Sequence, residues 1–151
     1  MTRLEIYCDG GCRGNQSDAN LGGWGVYLVW GEHERELCGG ERDTTNNKME
    51  LTAAIEGLRA IRNKTVPTDV YLDSAYVLNG ITSWIDGWRQ KGWVNSKKQP
   101  VANKELWLAL DEERHKFADI SFHKVKGHAD NAGNIRADEL ANRAMDELEA
   151  G

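Results

Sequence analysis

A single α+β domain, with helices on both faces of a five-stranded mixed sheet, is the fold class that this sequence predicts. Five short runs are strand-like, either alternating polar and apolar residues or continuously apolar, while other segments repeat apolar residues at helical spacing. The 151 residues suffice for one domain and show no internal repeat or composition break. With 40% hydrophobic and 28% charged residues, the chain is neither disordered nor fibrous.

The first three strands are expected to be antiparallel neighbours. Residues 4–9 alternate with period two and stop at a pair of glycines, which predicts a strand that ends in a turn. Residues 22–30 and 33–39 are also strand-like. A two-residue connection that begins with glycine separates them, and this is a hairpin signal.

The middle of the chain is mainly helical. Apolar residues at helical spacing predict a helix over 47–62 with its apolar stripe on the sheet, and residues 44–46 supply capping side chains before it. Residues 69–73 are expected to form a short buried strand, followed by short helices over 74–80 and 81–91.

The last third is expected to return once more to the sheet. A helix is predicted over 103–115 and an alternating strand over 120–125. A loop rich in glycine and asparagine, residues 127–134, then leads into a final helix over 135–148.

The cysteine count and hydropathy predict a cytoplasmic protein. Cys8, Cys12 and Cys38 are odd in number and lack metal-ligand spacing, which favours a reducing compartment over a disulfide framework. No apolar run approaches the roughly 20 residues that cross a bilayer, and the first residues do not form a signal peptide. We expect no membrane partner, and a monomer is the default because nothing signals oligomerisation.

The distribution of charge matters more than its sum. A net charge of −5 argues at first against nucleic acid, because nucleic-acid-binding proteins usually carry a basic surface. Residues 88–104, however, contain five cations and no acid, whereas residues 138–149 contain five acids and one cation. A chain segregated in this way can present a basic face to phosphates and keep an acidic cluster elsewhere.

Four acids fall where the local structure is expected to change. Asp9 and Asp73 are placed at the ends of strands, and Glu50 and Asp138 in the first turns of helices. Each has an ordinary explanation, since acids complement a helix N-terminus and are common in turns. If the strands of Asp9 and Asp73 are neighbours, however, their carboxylates repel each other unless cations lie between them. Carboxylate oxygens suit Mg²⁺ or Mn²⁺, and two such ions can hydrolyse a phosphodiester.

Six motifs in order along the chain resemble bacterial type 1 ribonuclease H. They are DGGCRGN at 9–15, TTNNKMEL at 44–51, DSAYV at 73–77, GITSWI at 80–85, VKGHA at 125–129 and ADELA at 137–141. Because they span nearly the whole chain at compatible spacing, the resemblance is far more specific than any one motif. It implies an α/β-type ribonuclease H fold in one domain over residues 1–151, with a basic protrusion at about 84–104.

The resemblance implies an endonuclease that hydrolyses the RNA strand of RNA–DNA hybrids and leaves 5′-phosphate and 3′-hydroxyl ends. Two Mg²⁺ ions, with Mn²⁺ as the alternative, are the implied cofactors. The four acids match the family's metal-binding and catalytic carboxylates, and His128 matches its mobile histidine near the scissile phosphate. Without the resemblance, the sequence favours a solvated loop histidine at His128.

The resemblance also implies contacts with the hybrid. Cys12, Asn15, Asn46 and Asn47 match positions that meet the minor groove and the ribose hydroxyls. Thr45 and Asn103 match part of a pocket for a DNA phosphate. The protrusion contributes Trp84, Trp88, Lys97 and Lys98, and its tryptophans, Trp93 included, are expected mainly to pack beneath the basic loop.

Three departures from the family pattern bear on substrate affinity. Residues 16–21 are longer than the proline- and glycine-rich turn usual in the family. Ala75 stands where the family often has glutamine, and Asp43 where an arginine often helps to bind DNA phosphate, with Arg42 beside it as the alternative.

Two other functions are compatible with these features: a catalytically silent module that binds hybrids, and a DNA-processing enzyme of the wider superfamily such as a resolvase or integrase core. The intact set of four acids argues against the first. The 44–50 motif and the basic protrusion argue against the second.

Overall fold

The computed structural model, which describes residues 2–14, 20–125 and 132–151, contains one sheet of five strands. The strands are β1 (Leu4–Arg13), β2 (Leu21–Trp30), β3 (His33–Arg42), β4 (Thr68–Leu72) and β5 (Ile120–Lys124). Their order across the sheet is β3-β2-β1-β4-β5. The first three pair antiparallel, whereas β4 is parallel to both β1 and β5. The mixed sheet and the antiparallel first three strands are therefore confirmed.

The helices follow the predicted order. They are α1 (Asn46–Arg59), α2 (Ala75–Asn79), α3 (Ile85–Gln90), α4 (Lys104–Arg114) and α5 (Ala132–Ala150), and a π-helical segment, Gly80–Trp84, joins α2 to α3. The side chain of Thr45 accepts a hydrogen bond from the Lys48 backbone N–H and so caps α1, as expected from residues 44–46. None of the described helices combines the length and apolar character needed to cross a membrane.

Helices α1 and α5 cover opposite faces of the sheet. Successive side chains of a strand point to opposite faces. Ile6 lies against Gly57 of α1, where a β-carbon would be 3.0 Å from its methyl group, and Tyr7 lies against Gly133 of α5, where a β-carbon would be 2.6 Å from its ring. The central strand β1 is thus buried between two helices, and the prediction of helices on both faces is confirmed.

The prediction that β1 ends at Asp9 is wrong. The strand continues through both glycines to Arg13, and Gly10 and Gly11 pair with Trp24 and Gly23 of β2. A β-carbon at Gly10 would lie 2.5 Å from the Met49 carbonyl carbon and 2.6 Å from the Glu50 nitrogen. The glycine therefore makes room for α1 and does not form a turn.

The prediction that Glu50 and Asp138 lie in the first turns of their helices is also wrong. Glu50 is the fifth residue of α1, and Asp138 is the seventh residue of α5. Because the favourable effect of a helix N-terminus on an acid fades within the first turn, neither acid is explained by that effect. Asp73, by contrast, follows directly after β4, close to the predicted strand end.

The close approach of α1 to β1 predicts that Gly10→Ala destabilises the protein. The methyl group must displace the backbone at Met49 and Glu50, so the free energy of unfolding is expected to fall by about 1–3 kcal/mol. Gly87→Ala is the matched control, because a β-carbon there meets nothing within 4 Å in α3. Urea denaturation of both variants measures the effect, and equal stability of Gly10→Ala and wild type would contradict this account of β1.

Candidate active site

Two strand ends bring Asp9 and Asp73 to the same edge of the sheet. Strands β1 and β4 are parallel neighbours, and their last paired residues are Cys8 and Leu72. Asp9 and Asp73 are the next residue on each chain, so they lie at the same level on adjacent strands. The condition that the sequence left open, that these two strands be neighbours, is met.

The carboxylates of Asp9 and Glu50 are buried beside each other. Asp9 is 7% exposed and Glu50 is 8% exposed, and the two side chains are close enough to shift each other's pKa. The backbone N–H of Gly10 donates to Asp9 Oδ1 at 2.9 Å. Burial raises the pKa of Asp9, and the neighbouring Asp138 raises it further. Burial also raises the pKa of Glu50, reinforced by the charge of Asp9.

Asp138 and Asp73 join this pair from two sides. Asp138 of α5 is exposed, and it lies near enough to Asp9 to raise the pKa of that carboxyl. Asp73 acts on Glu50 through its charge, which adds to the rise in the pKa of Glu50. The ammonium of Lys124 in β5 donates to the backbone oxygen of Asp73 and lies 4.0 Å from its carboxylate Oδ1. The four predicted acids therefore lie near one another, with Asp138 acting on Asp9 and Asp73 acting on Glu50.

The donor set fits hard divalent cations. It consists of carboxylate oxygens, two members are removed from water, and buried like charges require a counter-ion. Within residues 2–14, 20–125 and 132–151, however, no three His, Cys, Asp or Glu side chains are arranged to hold an ion as they stand. The acids meet as pairs, and their assignment as ligands stays a prediction.

Two predicted site residues, Asn15 and His128, lie outside the described residues. Val125 is the last described residue before His128 in the sequence. Its backbone N–H donates to the Leu72 carbonyl at 3.0 Å, one residue from Asp73. Val125 therefore lies at the edge of the sheet where the acids gather.

Several predicted substrate contacts meet at the start of α1. Thr45, Asn46 and Asn47 are exposed and line a cavity of about 330 Å³ together with Asn20 and Thr44. The thiol of Cys12 lies 3.8 Å from the Thr44 carbonyl oxygen. Asn103 does not line this cavity; its amide donates to the Tyr76 hydroxyl at 3.1 Å. The shared phosphate pocket of Thr45 and Asn103 therefore stays a prediction.

The tryptophans of the 84–104 segment form a connected aromatic cluster. Trp88 lies 5.9 Å from Trp84, 6.0 Å from Trp93 and 5.3 Å from the fully buried Trp107, measured between ring centroids. Trp88 and Trp93 pack against the core, whereas Trp84 is 41% exposed. Lys97 and Lys98 are exposed beyond this cluster. The packing agrees with the predicted support for a basic loop, with Trp84 left as the ring most open to a ligand.

Sequence reasoning missed Asn20 and Lys124. Asn20 was noted only as part of an unusually long connection, and Lys124 only as a strand residue. Each acquires its neighbour, Thr44 or Asp73, through strand pairing between distant parts of the chain. No local pattern carries that information. Arg42 is the alternative to the phosphate-binding arginine that the family often has at the position of Asp43. Its guanidinium donates to the Leu148 carbonyl near the end of α5.

Comparison with known proteins gives consistent matches. A family model described as RNase H matches residues 1–146. A protein named Ribonuclease H from Rhizobium etli is 50% identical over 151 residues, all of this chain and 97% of that relative. Another from Erythrobacter litoralis is 51% identical over 148 residues, 97% of this chain and 98% of the relative. Among solved structures, this chain is similar to LC9-RNase H1, which is described as a type 1 RNase H with the type 2 active-site motif. The two are 30% identical with a TM-score of 0.84, and the match covers 97% of this chain and 74% of that one.

The buried acid pair predicts a particular pH dependence in metal-free protein. The folded-state pKa of Glu50 is raised above its unfolded-state pKa, so between these two pKa values the folded state binds more protons than the unfolded state. The contribution of Glu50 to stability therefore falls as pH rises from the unfolded-state to the folded-state pKa. Glu50→Gln removes the penalty. Its stability relative to wild type is expected to grow between pH 5 and pH 8, by on the order of 1–3 kcal/mol.

Urea denaturation in a chelator at both pH values measures this difference. Glu56→Gln, at a more exposed position of the same helix, is the control and is expected to show no such growth. A stability difference between Glu50→Gln and wild type that stays constant with pH would refute the electrostatic account of the pair.

Proposed function

Since the chain belongs to the ribonuclease H family, and is therefore a nuclease, we propose that it hydrolyses the RNA strand of RNA–DNA hybrids by a two-metal-ion mechanism. The products would carry 5′-phosphate and 3′-hydroxyl ends. One observation carries the proposal: Asp9 and Glu50 are buried beside each other, Asp138 is near enough to raise the pKa of Asp9, and Asp73 directly follows the adjacent strand β4. Such a group of like charges is suited to divalent cations and is otherwise unfavourable.

The acids have distinct roles in this mechanism. When bound, two Mg²⁺ ions would supply an activated water and stabilise the leaving 3′ oxygen. Asp9, the acid in contact with two others, and Asp73, at the same level on β4, would be the central ligands. Asp138 would complete one ion's shell from α5. Glu50 would also accept a hydrogen bond from the ribose, and His128 would move a proton at the leaving group or assist product release.

Recognition of the hybrid would depend on sugar and backbone, with little reading of bases. RNA differs from DNA by its 2′-hydroxyl, which small polar side chains can bind in a shallow minor groove. The exposed Asn46 and Asn47 beside the cavity at the start of α1 are suited to this role. Cys12, whose thiol approaches the Thr44 carbonyl, and Asn15 would contribute to the same groove. Thr45 and Asn103 would contribute to a pocket for a DNA phosphate. Lys97, Lys98, Trp84 and Trp88 would hold the DNA strand.

The setting proposed for the enzyme is the cytoplasm, as a monomer of one domain over residues 1–151 that needs no protein partner. The three cysteines are unpaired in the structure, and Cys8 is buried. This suits a reducing compartment. Mg²⁺ is proposed as the ion, with Mn²⁺ as a substitute of similar ligand preference.

Replacing the central acid tests catalysis directly. Asp9→Asn is expected to lower the rate of cleavage of a labelled RNA–DNA hybrid in Mg²⁺ by at least roughly two orders of magnitude, because it removes a shared ligand. It should also abolish the rise in Tm that Mg²⁺ gives to wild type. Asp119→Asn, an exposed acid beside Arg3, is the matched control and should retain both properties.

Equal cleavage by wild type and Asp9→Asn would exclude the enzymatic role of this site. Hybrid binding without cleavage by wild type would instead support a silent binding module. Cleavage of duplex DNA in place of the hybrid would support a DNA-processing nuclease.

The basic segment predicts a defined salt dependence of binding. Each lysine that contacts a phosphate releases a counter-ion, so the slope of log Kd against log salt should decrease by roughly one for each lysine removed. Lys97→Ala with Lys98→Ala is therefore expected to reduce the slope by about two. Lys116→Ala, whose ammonium lies 3.1 Å from Glu113 outside this segment, should leave the slope unchanged. An unchanged slope in the double variant would remove these lysines from the interface.

A further inference from the structure

Asn20 ties the connection before β2 to the segment before α1. The last register pair between β2 and β3 is Leu21 with Arg42. One residue beyond it, the backbone N–H of Asp43 donates to the Asn20 carbonyl at 3.1 Å. The Asn20 side chain then makes two more hydrogen bonds: it accepts from the Thr44 backbone N–H at 3.0 Å and donates to the Thr44 carbonyl at 3.1 Å.

The side-chain amide of Asn20 makes both of these bonds at once, one through its oxygen and one through its nitrogen. An amide carries an acceptor and a donor, so it can satisfy the N–H and the C=O of one residue together. The arrangement extends the β2–β3 ladder by one step, although Asp43 has left the extended conformation with φ 55°. Asn20 thus fixes the point at which the chain turns from β3 towards α1.

Thr44 is held from further sides. Its side chain is buried, and a β-carbon at Gly22 would lie 2.5 Å from its methyl carbon. The Cys12 thiol approaches the same carbonyl oxygen that Asn20 binds. The next residue, Thr45, caps α1. Because Thr44 directly precedes this cap, its position sets where α1 starts and so where the exposed side chains of Asn46 and Asn47 lie.

Asn20 also faces the substrate side of this segment. It lines the polar cavity of about 330 Å³ together with Thr44, Thr45, Asn46 and Asn47. A side chain that fixes Thr44 and borders the cavity is placed to control how the exposed amides meet a ligand.

We propose that Asn20 is a positioning residue for the RNA–DNA hybrid: its amide, bonded to both main-chain polar groups of Thr44, holds Asn46 and Asn47 in one arrangement for the minor groove. This inference rests on the proposed function. It assigns a role to Asn20, the residue directly before β2. Asn20 is not a catalytic residue, because it acts through Thr44.

Asn20→Ala tests the proposal by separating binding from chemistry. Loss of both side-chain bonds should weaken hybrid binding about tenfold, seen as a higher Kd without metal and a higher KM with Mg²⁺, while kcat stays within about twofold of wild type. Asn63→Ala is the matched control. That asparagine also accepts a backbone hydrogen bond, from Thr65 at 3.1 Å, but does not line the cavity. An unchanged KM in Asn20→Ala, or a fall in kcat alone, would overturn the proposal.

A double-mutant cycle distinguishes positioning from general loss of structure. If Asn20 acts by placing Asn46, then Asn20→Ala should cost much less hybrid affinity in an Asn46→Ala background than in wild type. Fully additive losses would contradict the proposal. Asn20→Asp gives an independent reading if the alanine variant does not fold, since it keeps the acceptor for the Thr44 N–H and loses the donor. It should also weaken binding, and wild-type affinity in it would overturn the inference. Failure of wild type to cleave hybrids would instead refute the proposed function itself.

Discussion

The mutual repulsion of the buried carboxylates at Asp9 and Glu50 is the constraint on which the site depends. Two acids with little access to water cannot both be ionised at low cost without a compensating cation. The Gly10 N–H offsets part of this cost by donating to Asp9. Lys124 offers a positive charge at the opposite side of the group, near Asp73. The remaining imbalance is the physical basis of the proposed metal binding, so the electrostatic strain and the proposed affinity for divalent ions have one origin.

The fold produces this proximity through backbone contact. Helix α1 can bring Glu50 to β1 only because position 10 has no β-carbon, and α5 can bring Asp138 to the same strand because Gly25, paired with Asp9, leaves space for Ala137. The parallel pairing of β1 and β4 supplies Asp73. Three elements, α1, α5 and β4, thus converge near Asp9 on the central strand β1. A site built on a sandwiched strand of this kind is held more rigidly than one built on loops.

Local chemistry made much of the fold predictable, and long-range packing accounts for the errors. The strands, the cap at Thr45 and the helix order follow from periodicity and capping, which act over a few residues. The glycines after Asp9 predict a turn, because a sequence does not distinguish a glycine that bends the chain from one that lets a helix pack closely against a strand. The four acids could be identified from their motifs. Their pairing depends on strand register, and so do the contact of Lys124 with Asp73 and the hydrogen bonds of Asn20 to Thr44. A short stretch of sequence carries no information about that register.

The distribution of ion pairs explains how an acidic chain can still offer a basic surface. Many of its cations are committed to acids within the fold: Arg13 binds Asp146 and Glu149, and Arg136 binds Glu36. Within the basic segment, Arg89 is likewise engaged, by Asp86 and Asp111. Across the part of the chain that the structure describes, Lys97 and Lys98 make no ion pair with an acid. Salt screens charges beyond about a Debye length, roughly 8–10 Å in physiological salt, so a phosphate backbone is attracted mainly by nearby uncompensated charge. Two lysines without an acidic partner therefore affect phosphate binding more than the net charge of the whole molecule does.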